Sequence, residues 1–325
     1  MAENRNAQQV REITDKLEQG LKELFESERF KEYLKTMSKF YNYSFNNTLL
    51  IAMQKPDATL IAGYTAWQRN FDRHVMKGEK GIKILAPAPY KVQEEREKLD
   101  PATQKPVLDK DGKPVTETVE VTRPAFKVVS VFDVSQTDGK ELPDIAVDEL
   151  TGSVENYAAF FDALKELSPI PIAFENITDG AKGYFSHVEN RIAIQEGMSE
   201  IQTIKTAIHE IAHAKLHAVT PGEKVAPEDK KDRRTKEVEA ESVAYTVCQR
   251  YGIETSDYSF GYIAGWSSDK ETKELKGSLE TIRKTAAEMI TGIDEKLKER
   301  LAVKEQEVPT PLRDAAIPVY REAAM

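Results

Sequence analysis

Three of the five histidines in this 325-residue chain, His209, His213 and His217, fall within nine residues of one another. Their setting fixes the local fold. Ser199, with Gln202 three residues later, has the pattern of a helix N-terminus. Ile201, Ile204, Ile208, Ile211 and Leu216 then recur at helical spacing. In His209-Glu210-Ile211-Ala212-His213 the two histidines are therefore one turn apart on one face, where both imidazoles can reach a single metal ion at ~2.0–2.1 Å. Glu210 projects beside that face, placed to take a proton from water and hand it to a leaving group. His217 cannot join His209 on the same ion, because eight residues of helix separate them by about 12 Å along the axis. That leaves His217 a packing role or one behind the ligands.

A catalytic zinc site needs a third protein ligand and an open position. The candidate segment is Glu237-Val238-Glu239-Ala240-Glu241. Glu237 and Glu241 share a helix face, while Glu239 points elsewhere, toward solvent. One arrangement fits: Glu237 binds the metal, and Glu241 orients a ligand histidine through its free ring nitrogen. The segment resembles the E-x-x-A-[D/N/E] second helix of gluzincin-like peptidases, including the immunity-type metallopeptidases of mobile elements, and the resemblance selects Glu237 over Glu241. Zinc is the default ion for two histidines and a glutamate, though such a site also accepts manganese or cobalt. Arg191–Gln195 is expected as a strand at the cleft rim, where an extended substrate can add. His187 is expected as a surface loop residue.

Charge divides the chain. The net charge of −9 speaks against a uniformly basic nucleic-acid binder, but residues 1–90 hold 14 Lys/Arg against 11 Asp/Glu and the remainder 32 against 44. With 40% hydrophobic residues the chain can build real cores, and its length suits two domains. No apolar run approaches the ~20 residues that span a bilayer, so no membrane partner is expected. A polar N-terminus and a single cysteine, Cys248, fit a reducing cytoplasm.

Helices are expected from Asn6 to about Lys39, with a break near Ser27, and over Phe45–Gln54, Thr65–Phe71, Val154–Leu167, Lys236–Tyr251 and about 270–301. The cap of the fourth is expected at Thr151 or Ser153. Gly81–Leu85, Phe126–Phe132, Ile172–Phe174 and Arg191–Gln195 read as strands, and 91–123 as an exposed hairpin insertion around a DKDGK turn. These spans predict an α+β chain of two domains: 1–147, with a linker at about 133–147; 148–302; and a flexible tail at 303–325.

Residues 30–71 interleave aromatic residues with cations, and 30–83 carry nine basic against four acidic residues. Single-stranded nucleic acid is bound this way, by cations along the backbone and aromatic faces under the bases. Tyr43-Ser44-Phe45-Asn46-Asn47, Gln54–Thr59, Gly63-Tyr64-Thr65-Ala66-Trp67, Lys77–Pro87 and Val131–Thr137 are similar, in this order, to the N-terminal domain of the ArdC-type antirestriction proteins. The resemblance covers roughly residues 10–290. It implies a helical/β single-stranded-DNA-binding domain followed by a zincin-like metallopeptidase domain, on proteins of conjugative elements that protect incoming DNA from restriction. The candidate contacts are Tyr41, Tyr43, Asn47, Tyr64, Trp67, Arg69, Lys77, Lys80 and Lys83. A DNA-bound protein would then be the peptidase substrate. Two alternatives stand beside this: a DNA-binding protein whose metal is not catalytic, and an immunity-type peptidase that cleaves a DNA-bound regulator.

Overall fold

The computed structural model describes residues 2–142, 154–178, 180–218, 231–253, 255–258 and 260–307. Two helices open the chain, α1 (Ala2–Leu24) and α2 (Ser27–Lys39), with the break at Phe25-Glu26, next to the expected place. Ile13, Leu17, Leu21 and Leu24 of α1 are buried, as are Phe30, Leu34 and Met37 of α2. α3 (Phe45–Gln54) starts where the Ser44 side chain accepts from the Asn47 N–H.

Behind these helices lies a three-stranded antiparallel sheet in the order β1 (Ile61–Gly63), β6 (Phe126–Asp133), β3 (Ile82–Pro87). β3 is an edge strand, and side-chain amides from α3 cover its open side. Asn47 exchanges two hydrogen bonds of 2.9 Å with the backbone of Leu85, and Gln54 two of 2.9 Å with that of Lys83. Pairing with a further strand is blocked there. α4 (Tyr64–Phe71) follows β1, and β2 (Arg73–Val75) pairs with β7 (Thr137–Gly139). The insertion is a hairpin, β4 (Tyr90–Glu97) against β5 (Thr116–Arg123), extended by the bridges Leu99–Pro106 and Leu108–Pro114.

Residues 133–142 are built into the N-terminal half and do not form a linker. The Asp133 carboxylate accepts from the backbone of Thr59, Leu60 and Ser135, and β7 pairs as above. The remainder of the expected linker, the caps at Thr151 or Ser153 and residues 219–230 lie outside the described residues.

The C-terminal half has a second three-stranded sheet, in the order β8 (Ile172–Glu175), β10 (Arg191–Gln195), β9 (Gly183–Ser186). β10 is parallel to β8 and antiparallel to β9. Arg191–Gln195 is thus the central strand, paired on both sides. The edge is β9, where no strand was expected. α5 (Val154–Leu167), α6 (Glu200–His217), α7 (Arg233–Arg250), α8 (Ile263–Ser267) and α9 (Thr272–Glu307) complete this half. α9 continues five residues past the expected boundary at 302, and 308–325 lie outside the described residues.

The two halves of the sequence share one hydrophobic core. Phe25 packs edge-on against Trp266 at 5.9 Å and Phe30 against Phe260 at 5.2 Å. α2 lies along α7, and Arg283 of α9 donates to the carbonyl of Tyr43. A smaller cluster of Phe40, Ile51, Ala58, Ile61, Ile82, Ile84 and Val131 stays within the N-terminal half. An amphipathic pattern marks a buried face without saying which element covers it. Here α1 and α2 close the C-terminal core as well as their own.

Candidate metal centre

α6 starts where the Ser199 hydroxyl accepts from the N–H of Gln202 at 3.3 Å. Ile204, Ala207, Ile208 and Ile211 anchor its inner face. That packing aims His209 and His213 across toward α7. Their Nε2 atoms are 3.1 Å apart, and the Glu237 Oε2 of α7 lies 3.7 Å from the first and 3.5 Å from the second. Four ligands tetrahedrally arranged at ~2.05 Å from an ion stand about 3.3 Å from one another. The three donor atoms therefore already have the spacing of ligands on one ion. Two neutral imidazoles and a carboxylate are a donor set that suits a divalent metal.

Protonation favours the same use. Burial, with His213 alongside, pushes the His209 imidazole down to about 4, which leaves it neutral near pH 7. A hydrogen bond from His213 holds the Glu237 carboxyl below its ordinary value. Glu210 differs from Glu237. Burial raises its carboxyl to about 7, the Glu237 carboxylate adds to the rise, and a hydrogen bond from the Phe185 backbone N–H opposes it. A carboxyl poised near neutrality can both accept and return a proton.

The Phe185 contact comes from β9, which had not been expected. Gln195 donates to the Lys182 carbonyl at 2.9 Å, so the backbone groups of Tyr184 and Ser186 turn toward β10 and those of Gly183 and Phe185 turn outward. Gly183 allows the approach: a Cβ there would stand 2.6 Å from Thr206 Cγ2 and 2.8 Å from the Ala193 carbonyl oxygen. His187 packs its ring on Phe185 at 4.2 Å. It is exposed in the turn that follows β9, as expected, and partial burial, with Lys236 and His213, pushes its imidazole down. A cleft of about 330 Å³ opens beside His209 and Glu210, lined also by Lys182, Lys205, Glu241 and Asp257.

The other two glutamates of α7 depart from expectation. Glu239 is 0% exposed. It accepts from His217 Nε2 at 3.1 Å and from the Lys231 ammonium at 2.7 and 2.8 Å. His217 Nδ1 in turn stands 3.1 Å from His213 Nδ1. Glu241 does not orient a ligand histidine: it accepts from the Tyr262 hydroxyl, and burial raises its carboxyl. α7 lies between α6, α9 and α2, so a glutamate off the metal face meets another helix and not water. The signal for Glu239 was therefore its helix-mate environment, which no residue pattern carries.

The nine candidate DNA contacts separate into two groups. Trp67 is 0% exposed and donates its indole N–H to the Phe132 carbonyl at 2.9 Å, so it is core and offers no stacking face. Asn47 is spent on Leu85. Tyr41 is half-buried under the Arg250 guanidinium at 5.3 Å, and Tyr43 packs edge-on to Phe40. Tyr64 is 59% exposed, and Arg69, Lys77, Lys80 and Lys83 are exposed as well. Lys83 bonds Ser130 Oγ at 2.6 Å. Lys77 and Lys80 flank Gly78, whose φ of +94° supplies a turn that an L side chain would strain. Gln136 pins that turn by donating to Glu79 and to the Lys80 carbonyl.

Comparison with known proteins divides the chain in two. Residues 4–132 match the N-terminal domain of anti-restriction factor ArdC, and residues 167–251 match the IrrE N-terminal-like domain of a peptidase family. An uncharacterized protein of Bacillus anthracis is 29% identical over 90% of this chain and 52% of its own length. The DNA primase TraC of Escherichia coli is 34% identical over 43% of this chain and 12% of its own length. The chain thus spans about half, and about an eighth, of these relatives. Among solved structures, the metal-free antirestriction ArdC protein of the R388 plasmid covers 80% of this chain and 86% of its own, with 22% identity and a TM-score of 0.46. Its Mn(II)-bound form gives 20% identity, 80% and 85% coverage and a TM-score of 0.44. The chain thus carries an N-terminal domain of the ArdC anti-restriction factor type in its first half and an IrrE N-terminal-like domain in its second.

Proposed function

We propose that the chain is a cytoplasmic protein of a mobile genetic element that binds single-stranded DNA through its N-terminal half, protects that DNA during transfer, and carries a zinc peptidase centre in its C-terminal half. The peptidase reading rests on one observation: three donor atoms from two helices stand 3.1–3.7 Å apart beside a buried carboxyl whose proton is exchangeable near pH 7. His209, His213 and Glu237 would hold the ion. When bound, it supplies a Lewis acid that polarises a peptide carbonyl and makes water more acidic. Glu210 takes the proton from the attacking water and returns it to the leaving amine, the Phe185 N–H fixing the carboxyl on that side. The outer edge of β9, where the remaining backbone groups of Gly183 and Phe185 face outward, is where an extended peptide would pair.

The DNA-binding reading is supported by the ArdC N-terminal domain, by the exposed Tyr64, Arg69, Lys77 and Lys80, and by a DNA primase among the relatives. No helix among the described residues is long and apolar enough to cross a membrane. A protein bound near the captured strand would be the peptide substrate.

Fluorescence anisotropy of a labelled single-stranded oligonucleotide, titrated with the full chain at two salt concentrations, tests the first half. Binding that weakens steeply with salt is expected, and no binding at low salt would remove it. For the second half, Glu210→Gln should keep its metal and lose its biological activity. A Glu210→Gln chain that protects DNA fully would leave the metal without a catalytic role.

A further inference from the structure

His217, Glu239 and Lys231 form a hydrogen-bonded chain, buried at its first two members, that the peptidase chemistry above does not use. It runs from the back of His213, away from the cleft. His213 Nδ1 meets His217 Nδ1 at 3.1 Å, and His217 Nε2 meets Glu239 Oε2 at 3.1 Å. Both Glu239 oxygens take the Lys231 ammonium, and Ser278 of α9 adds a further hydrogen bond. The side chains of His217 and Glu239 are 3% and 0% exposed. Burying a carboxylate and two imidazoles is costly unless each hydrogen-bonding position is used in one consistent way.

Only one proton arrangement is consistent with metal at the front. Glu239, an anion held by Lys231, can only accept, so His217 Nε2 must carry a proton. A neutral His217 then presents a lone pair at Nδ1. That lone pair can only accept, so His213 must carry its proton on Nδ1. His213 Nε2 is left bare, and Nε2 is the atom facing His209 and Glu237. Starting from an ion on His213 Nε2 and working backward gives the same protons. The opposite tautomer of His213 would put a hydrogen where the ion belongs and set two lone pairs against each other at 3.1 Å. Histidine ligands ordinarily give their second nitrogen directly to a carboxylate or carbonyl; here a second histidine stands between.

We propose that His217 and Glu239 are positioning residues for the metal, a two-step relay that fixes His213 in its ligand tautomer and orientation. This rests on the metal reading above. It also accounts for His217, which lies too far along α6 to share an ion with His209, and for a glutamate with no solvent around it.

The test uses Co(II) binding by the full-length protein, followed by visible absorption and calorimetry, with long-range ¹H–¹⁵N spectra of the Zn(II)-loaded wild type. Wild type should bind one ion and show His213 protonated at Nδ1 and His217 at Nε2. His217→Leu should lose about 10- to 100-fold in Co(II) affinity. His217→Gln, whose amide can accept from His213 and donate to Glu239, should stay within about threefold. Melting of the metal-free variants separates a lost relay from a lost fold, and the wild-type spectra need no variant. His217→Leu binding Co(II) as wild type does, or His217 protonated at Nδ1 in the Zn(II) protein, would overturn the relay and leave the metal reading standing. A wild type that binds no ion would remove both.

Discussion

Three donor atoms from two helices come within 3.7 Å of one another at the metal centre, whereas the nine candidate contacts of the N-terminal half disperse. Trp67 and Asn47 go into packing, Tyr41 goes under Arg250, and Tyr64, Arg69, Lys77 and Lys80 reach the surface. The difference follows from what each chemistry demands. Two histidines on one ion require a fixed spacing on a rigid helix, and the spacing is visible in the residue order. Strand binding requires cations and flat rings on one open face, and a core uses the same rings. Aromatic composition therefore cannot say which rings remain free.

The sharpest contrast is expected at Glu210. Glu210→Gln should lower peptide cleavage about 10²- to 10⁴-fold while metal content and oligonucleotide affinity stay at wild-type levels, read by cleavage assay, metal analysis and anisotropy. A parallel loss of DNA binding would mean that the halves are not separable by chemistry.

Trp67 and Tyr64 sharpen the division inside the N-terminal half. Trp67→Ala should cost about 3–5 kcal/mol in denaturant unfolding, because a fully buried indole and its hydrogen bond are removed. Tyr64→Ala should leave stability within about 0.5 kcal/mol and weaken single-strand binding by about 1–3 kcal/mol. Unchanged binding by the Tyr64 variant would move the DNA elsewhere.

Stability of the chelated, metal-free protein should depend on Glu210 and pH in a defined direction. Folding raises this carboxyl from 4.5 to about 7 by burying it. Its favourable contribution is present below pH 4.5 and is lost as pH rises through about 7. Relative to wild type, the metal-free Glu210→Gln chain should gain stability across that window, by at most about 3 kcal/mol. Thermal melts at pH 5 and pH 8 measure this, and an equal offset at both would contradict the buried carboxyl. The smallest effect is expected from Lys77→Ala and Lys80→Ala, each lowering the slope of log affinity against log salt by about 0.7.

Much of the fold was legible. Val154–Leu167 and Phe45–Gln54 begin and end where composition changes, and Ser44 and Ser199 cap their helices as their positions suggest. The donors His209, His213 and Glu237 converge, as one turn of helix and one family resemblance implied. What could not be read was anything set by a neighbour distant in sequence. β9 is short and starts with a glycine that serves helix contact, so its residues carry no strand pattern. β10 is hydrophobic because it is central, which periodicity alone cannot tell from a rim strand. Glu239 looked solvated because glutamates usually are; Lys231 and His217, on either side of a stretch with no residue pattern, keep it buried. That the two halves share a core was hidden for the same reason, since Phe25 and Phe30 find their partners in Trp266 and Phe260.

The central claim is that two helices hold one divalent ion through His209, His213 and Glu237. Elemental analysis of wild type, Glu210→Gln and Glu237→Ala, purified side by side and equilibrated with the same limiting Zn(II), tests it most directly. The account predicts one ion per chain in wild type and in Glu210→Gln and a large loss in Glu237→Ala. Full occupancy in Glu237→Ala, or no ion in wild type, would contradict it.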